Sequence, residues 1–164
     1  WPRWGARCRG GPRGGTDAAA GWHGISGARP AQVEALVELG LGVNLQNKHK
    51  ETAVHAACRG GSERVLRVLL AAGGNSEERD GTYGRTPLHW AAFSGSAETI
   101  AALLEDHVEV DCKTLTGQTP LYWAVQEGQT GVLELLREAG AKVDRKPKGE
   151  GPTILQMASA KGHE

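Results

Sequence analysis

Thr86-Pro-Leu-His-Trp-Ala-Ala-Phe-Ser-Gly95 decides how this chain is read. Thr86 is a good helix N-cap, and Pro87 suits the first helical turn, where its missing N–H leaves nothing unpaired. Ala91 and Ala92 keep the helix thin enough for a neighbour to approach. Gly95 takes readily to the positive φ that ends a short helix and turns the chain. Beyond it, Ile100, Leu103 and Leu104 place apolar mass on one face of a second helix.

The same stretch recurs in both directions. Thr52-Ala-Val-His-Ala-Ala-Cys58, Thr119-Pro-Leu-Tyr-Trp-Ala-Val125 and Thr153-Ile-Leu-Gln-Met-Ala-Ser159 align with it, their starts 34, 33 and 34 residues apart. Glycines follow at a fixed offset (Gly61, Gly95, Gly128, Gly162), and apolar runs close on Gly73 and Gly140. A fixed period of this size marks a stacked-repeat architecture. Period, opening tetrapeptide and paired glycines together resemble the ankyrin repeat, over roughly residues 30–164. The resemblance implies an all-α repeat solenoid, with a β-turn and an antiparallel helix pair in each unit of ~33 residues. Neither helix of a unit can bury its face alone, so stacking supplies the missing surface and the array is quasi-one-dimensional.

The chain divides accordingly. Residues 1–17 are Gly/Arg-rich and expected to be disordered. Residues 18–51 form a degenerate first unit, whose second helix is Pro30–Gly40 and whose first helix falls near 18–27. Repeats follow at 52–85, 86–118 and 119–152, and 153–164 is a truncated unit with no second helix. Lys50 stands where a turn glycine is expected, which predicts a distorted first finger. Extra residues lie in the fingers around Asp80–Tyr83 and Lys146–Glu150. Trp1 opens the chain and Met157 is its only methionine, so a fragment is expected.

Composition narrows the function. Aromatic residues are 5% of the chain against 39% hydrophobic, so the core is built from Leu, Val and Ala. Net charge is zero, but residues 1–29 hold five arginines and one aspartate, while the remainder holds 14 basic and 18 acidic residues. That acidic body argues against nucleic acid, whose phosphates need a positive face. Arg3, Arg7, Arg9 and Arg13 with Trp1 and Trp4 resemble an RNA-contacting Gly/Arg segment, but read more simply as a linker. Cys8, Cys58 and Cys112 are odd in number and far apart, which favours a reducing compartment. No apolar run approaches the ~20 residues needed to cross a bilayer, the start lacks a signal-peptide core, and no N-x-[ST] sequon occurs. A cytoplasmic or nuclear monomer is expected.

Catalytic motifs are missing: no Walker loop, H-E-x-x-H, C-x-x-C or G-x-S-x-G is present. His55 and Cys58, three apart, do not make a zinc site. By the resemblance, His55 and His89 hydrogen-bond near the opening Thr of their units. Asp106 and His107 read as a solvated helix end. Neither cofactor, metal nor enzyme activity is expected.

What remains is a binding scaffold holding a protein partner on its concave face. The resemblance puts the contacts in the fingers (Lys48, His49, Glu51; Tyr83, Arg85; Leu115, Thr116, Gln118) and at the ends of the first helices (Arg59, Phe93, Ser94, Gln126, Glu127). Phe93, large and apolar where a small or polar residue is usual, is the sharpest of these. Trp90 and Trp123 lie one position inward, as packing or as contact. The alternative is a substrate-recruiting segment of a larger enzyme, such as a kinase or ubiquitin-ligase subunit. Asn44, with Leu36 eight residues before it, resembles the asparagine that is hydroxylated in many ankyrin-repeat proteins.

Overall fold

The computed structural model describes residues 29–143 and 152–161. The expected first helix near 18–27, the segment 1–17, the extra residues at 146–150 and Gly162 lie outside the described residues. Those described hold eight helices and no strand: α1 (Pro30–Glu38), α2 (Ala53–Arg59), α3 (Glu63–Ala71), α4 (Pro87–Ser94), α5 (Ala97–Glu105), α6 (Pro120–Glu127), α7 (Thr130–Glu138) and α8 (Ile154–Lys161). None is long and apolar enough to cross a membrane. The molecule is the all-α repeat solenoid that the resemblance implies.

Two layers of helices build it. The inner layer stacks α2 on α4, α4 on α6 and α6 on α8, and the outer layer stacks α1 on α3, α3 on α5 and α5 on α7. Small residues set the inner spacing: Ala53, Ala57, Ala91, Ala92 and Ala124 are fully buried. A longer side chain at any of them would meet the next helix, and such overpacking destabilises by about 1–3 kcal/mol. Outer helices bury one stripe each, Val65, Leu66 and Leu69 on α3, Ile100 and Leu103 on α5, Val132 and Leu136 on α7, and turn charge outward. On that charged side Arg67 joins Glu63 at 2.7 Å and Glu105 of the next unit at 2.8 Å. The predicted glycines do end the inner helices, with φ of 64° at Gly61, 73° at Gly95 and 72° at Gly128.

The fingers are backbone turns closed by a polar side chain. Thr114 N–H donates to Gln118 O and Gly117 N–H to Thr114 O, both at 2.9 Å. The first finger repeats this pattern, with Asn47 N–H on Glu51 O and Lys50 N–H on Asn47 O, again at 2.9 Å. The distortion expected from Lys50 is therefore not found. Lys50 adopts the left-handed conformation itself, φ 56°, at a cost of roughly 1–2 kcal/mol for a residue with a Cβ. Asn47 offsets that cost, because its Oδ1 accepts from His49 N–H at 2.8 Å and Glu51 N–H at 3.0 Å. Adjacent fingers are joined by Gly81 N–H to His49 O (2.7 Å) and Leu115 N–H to Tyr83 O (2.8 Å).

At the base of each of the first two complete repeats a histidine ties helix, cap and neighbour together. His55 Nδ1 accepts from Thr52 N–H at 3.1 Å, and its Nε2 lies 3.3 Å from Arg85 O in the next finger. His89 repeats the arrangement with Thr86 N–H at 3.2 Å and Gln118 O at 3.1 Å. Nδ1 accepts from an N–H, so the neutral ring carries its proton on Nε2 and donates it across the joint. Both of His55's nitrogens are thus engaged by the fold, and Cys58 is fully buried with its thiol pushed well up by burial. The last unit achieves the same local cap with Gln156, whose Oε1 accepts from Thr153 N–H at 2.9 Å.

Burial holds the pKa of His89 down at about 4, against 6.5 for a free imidazole. The folded state therefore favours the neutral ring. Its contribution is full above the unfolded pKa and is lost as pH falls from 6.5 through about 4, where the unfolded chain takes up the proton first. The loss amounts to on the order of 3 kcal/mol. His89→Gln, which copies the cap of the last unit, should flatten this part of the profile. Urea unfolding at pH 7 and pH 4 measures it, and equal losses in both proteins would clear the imidazole of any role in acid lability.

Candidate protein-binding face

Fingers and inner helices share one face, and the second complete repeat forms its centre. Asp80, inside the finger with the extra residue, is fully buried at its carboxylate. Oδ1 accepts from Tyr83 N–H at 2.9 Å and Arg85 N–H at 3.1 Å, and Oδ2 pairs with Arg85 Nε at 2.6 Å. Burial alone would raise its pKa, but these donors together hold the carboxyl below its ordinary value. Asp80 is thus the side chain that shapes the longer finger, in the place of Asn47 and Thr114 in its neighbours.

The clamp aims Arg85. Its guanidinium carbon lies 4.1 Å from the Trp90 ring centroid, 4.8 Å from that of Tyr83 and 5.7 Å from that of Trp123. Arg59 from the preceding repeat approaches the same Trp90 ring at 5.5 Å. Phe93 bridges the two indoles edge-on, 6.1 Å from Trp90 and 6.0 Å from Trp123. Such edge contacts and stacked cations each contribute about 0.5–2 kcal/mol. Neither indole N–H meets an acceptor among the described residues. Trp90 and Trp123 are half-buried, so they serve as packing and as floor of the surface at once.

The other candidate residues are distributed around this centre. Lys48 and His49 are exposed at the first fingertip, and Leu115 and Thr116 at the third. Glu51 is half-buried, bonded to Asn47 Nδ2 at 2.9 Å and 3.6 Å from Arg59. Gln118 is half-buried and lends its carbonyl to His89. At the end of α6, Gln126 is half-buried and Glu127 exposed. Ser94 is used by the fold, its hydroxyl donating to Cys58 O or Ala91 O, both at 3.0 Å. Asn44 stands apart at a joint of the outer side: its Oδ1 accepts from Asn75 N–H at 2.7 Å and its Nδ2 donates to Gly73 O at 2.9 Å. Glu77 and Asp111 receive the corresponding N–H groups, of Glu109 and Lys142, at 3.0 Å.

The profile of the family described as ankyrin repeats (3 copies) matches residues 22–114 and 94–147. The chain belongs to the ankyrin-repeat family. It is similar to an E3 ubiquitin-protein ligase of Arabidopsis thaliana, 39% identical over 79 residues, 48% of this chain and 15% of that one. It is also similar to Inversin of Gallus gallus, 38% identical over 72 residues (44% of this chain, 6% of that protein). A third relative is the NF-kappa-B inhibitor cactus of Drosophila melanogaster, 37% identical over 67 residues (41% and 13%). The chain therefore spans 15% or less of the length of these relatives, and what they share with it lies in the repeats. Ankyrin repeats are protein-interaction modules and in general are not themselves catalytic.

The Asp80 clamp is missing from the sequence-based candidates, because an acid in an irregular finger looks like any solvated loop residue. Its signal was the finger's extra length together with an arginine five residues on. Asp80→Ala should lower stability by about 3 kcal/mol, since it leaves a largely buried guanidinium unpaired. It should also release Arg85 from the Trp90 ring, which would appear as a change in tryptophan emission before unfolding. A variant with unaltered emission and stability would remove the clamp from the account.

Proposed function

We propose that this array holds a protein partner on its concave face, with the second complete repeat as anchor. The observation that carries the reading is the convergence of Tyr83, Arg85, Phe93, Trp90 and Trp123 on one rigid patch. Aromatic residues and arginine dominate the energetics of protein interfaces. Phe93 and Tyr83 leave 39% and 51% of their surface open, and Leu115 beside them leaves 67%, so apolar area is available at the tips. Lys48, His49, Glu51 and Arg59 extend the surface on one side, and Thr116, Gln118, Gln126 and Glu127 on the other. The likeness to an E3 ubiquitin-protein ligase favours a second reading, in which the array recruits substrate for a larger enzyme. Both readings use the same face, and the sequence of the full-length transcript separates them.

Tyr83→Ala and Phe93→Ala should each weaken partner binding by about 2 kcal/mol. Tyr83→Ala loses its contact with Arg85 and should cost the fold no more than about 1 kcal/mol. Phe93→Ala loses two edge contacts and should cost the fold about 1 kcal/mol. Pull-downs with each bait beside melting curves measure both effects. Equal recovery of partners by all three baits would move the interface to the outer helices.

A further inference from the structure

We infer that the segment recognised here is an acidic stretch of polypeptide that carries an aromatic or aliphatic residue, with carboxylates meeting the guanidiniums of Arg59 and Arg85. The inference rests on the concave-face reading above and supplies the chemistry of the partner.

A group of aromatic faces ordinarily attracts a cation, but here the chain's own Arg85 already covers Trp90, Tyr83 and Trp123. A second cation arriving from a partner would meet that charge at close range. Arg85 spends only its Nε–H on Asp80. Its two terminal nitrogens, four N–H donors in a planar fork, meet no acceptor among the described residues, and 12% of the side chain is open. Arg59 stands on the same indole and is held to Glu51 only at 3.6 Å, with 38% of its side chain open. Two guanidiniums thus flank one ring, and both acids near them are covered, Asp80 completely and Glu51 to 15% exposure. Lys48 adds charge at the neighbouring fingertip.

Beyond residue 29 the chain taken together carries the opposite sign, with 18 acidic and 14 basic residues. At the aromatic floor Arg59, Arg85 and Lys48 outnumber Asp80 and Glu51, and the unused edge of a planar guanidinium fork suits a carboxylate. Phe93, Tyr83 and Leu115 border the same site and require an apolar side chain next to the acid. A nucleic acid strand fits less well, because its run of phosphates would cross onto the acidic flanks.

The test is selection of random 16-residue peptides displayed on phage against the full 164-residue chain, followed by anisotropy with the selected peptides as free, labelled probes. Enrichment of Asp or Glu beside Phe, Leu or Trp is expected. Arg59→Gln should weaken those peptides by about tenfold, with affinity falling as salt rises and the variant still melting in one cooperative transition. Neutral or basic consensus peptides would overturn the inference, and if Phe93→Ala abolished their binding the concave-face reading would stand without it. Acidic peptides indifferent to both Arg59→Gln and Phe93→Ala would overturn the two together. Failure to enrich any peptide would rule out a linear segment and leave the face to a folded partner. Displacement of the selected peptide by a 20-nucleotide single-stranded DNA, at lower concentration than the unlabelled peptide itself requires, would replace the peptide with a polyanion.

Discussion

A neutral imidazole buried at the joint between repeats is the contact on which the rest of this array depends. His55 and His89 each close the first turn of their own helix and donate across to the carbonyl that ends the next finger. One side chain thereby fixes the helix start, the finger and the spacing between units. The ring must be buried to reach both partners, and burial keeps it uncharged. Hydrogen bonds made in such a dry place are strong, and expensive to leave unmade. The third complete repeat has Tyr122 at this position, with its N–H on Thr119 Oγ1 at 3.3 Å, so the joints are not equivalent.

That rigidity suits the face to the binding proposed for it. A short inner helix anchored at its base by Thr and His, and packed through alanines, has its far end and its finger held in place. Side chains there are presented without an ordering cost at the moment of binding, which is the general advantage of preorganisation. Arg85 illustrates the point. A free arginine loses much rotamer freedom on meeting a partner, whereas this one is already clamped by Asp80 and laid on Trp90. The outer side is built from different material, with Arg67 bridging Glu63 and Glu105 along the convex helices, and charge rather than aromatic area faces outward.

The repeat was legible because a solenoid writes its architecture at fixed intervals. Thr86-Pro-Leu-His, the two alanines and Gly95 each have a local physical role that does not depend on distant residues, and each reappears in the next unit. Irregular positions were harder. Lys50 predicted a distorted finger because a residue with a Cβ resists positive φ, yet Asn47 three residues before it accepts from His49 and Glu51 N–H and the turn closes normally. Ser94 was grouped with the contact residues, but its hydroxyl lies between two backbone carbonyls, one of them in the preceding repeat.

Period, helix pairs, the glycine turns, the histidine caps and the family resemblance all follow from the sequence alone, since each is set by residues within one unit or by its recurrence in the next. The way the expected contact residues are assembled does not. Asp80 and Arg85 are five residues apart in an irregular finger, Arg59 belongs to one repeat and Trp123 to another, and no spacing in the chain announces that they share a patch. Only stacking brings them together, because a finger's direction is decided by its bonds to the fingers beside it: Gly81 to His49 and Leu115 to Tyr83. Charge works the same way. The sequence shows a mildly acidic body, and tertiary structure alone places the guanidiniums of Arg59 and Arg85 on the aromatic face, each beside a covered acid.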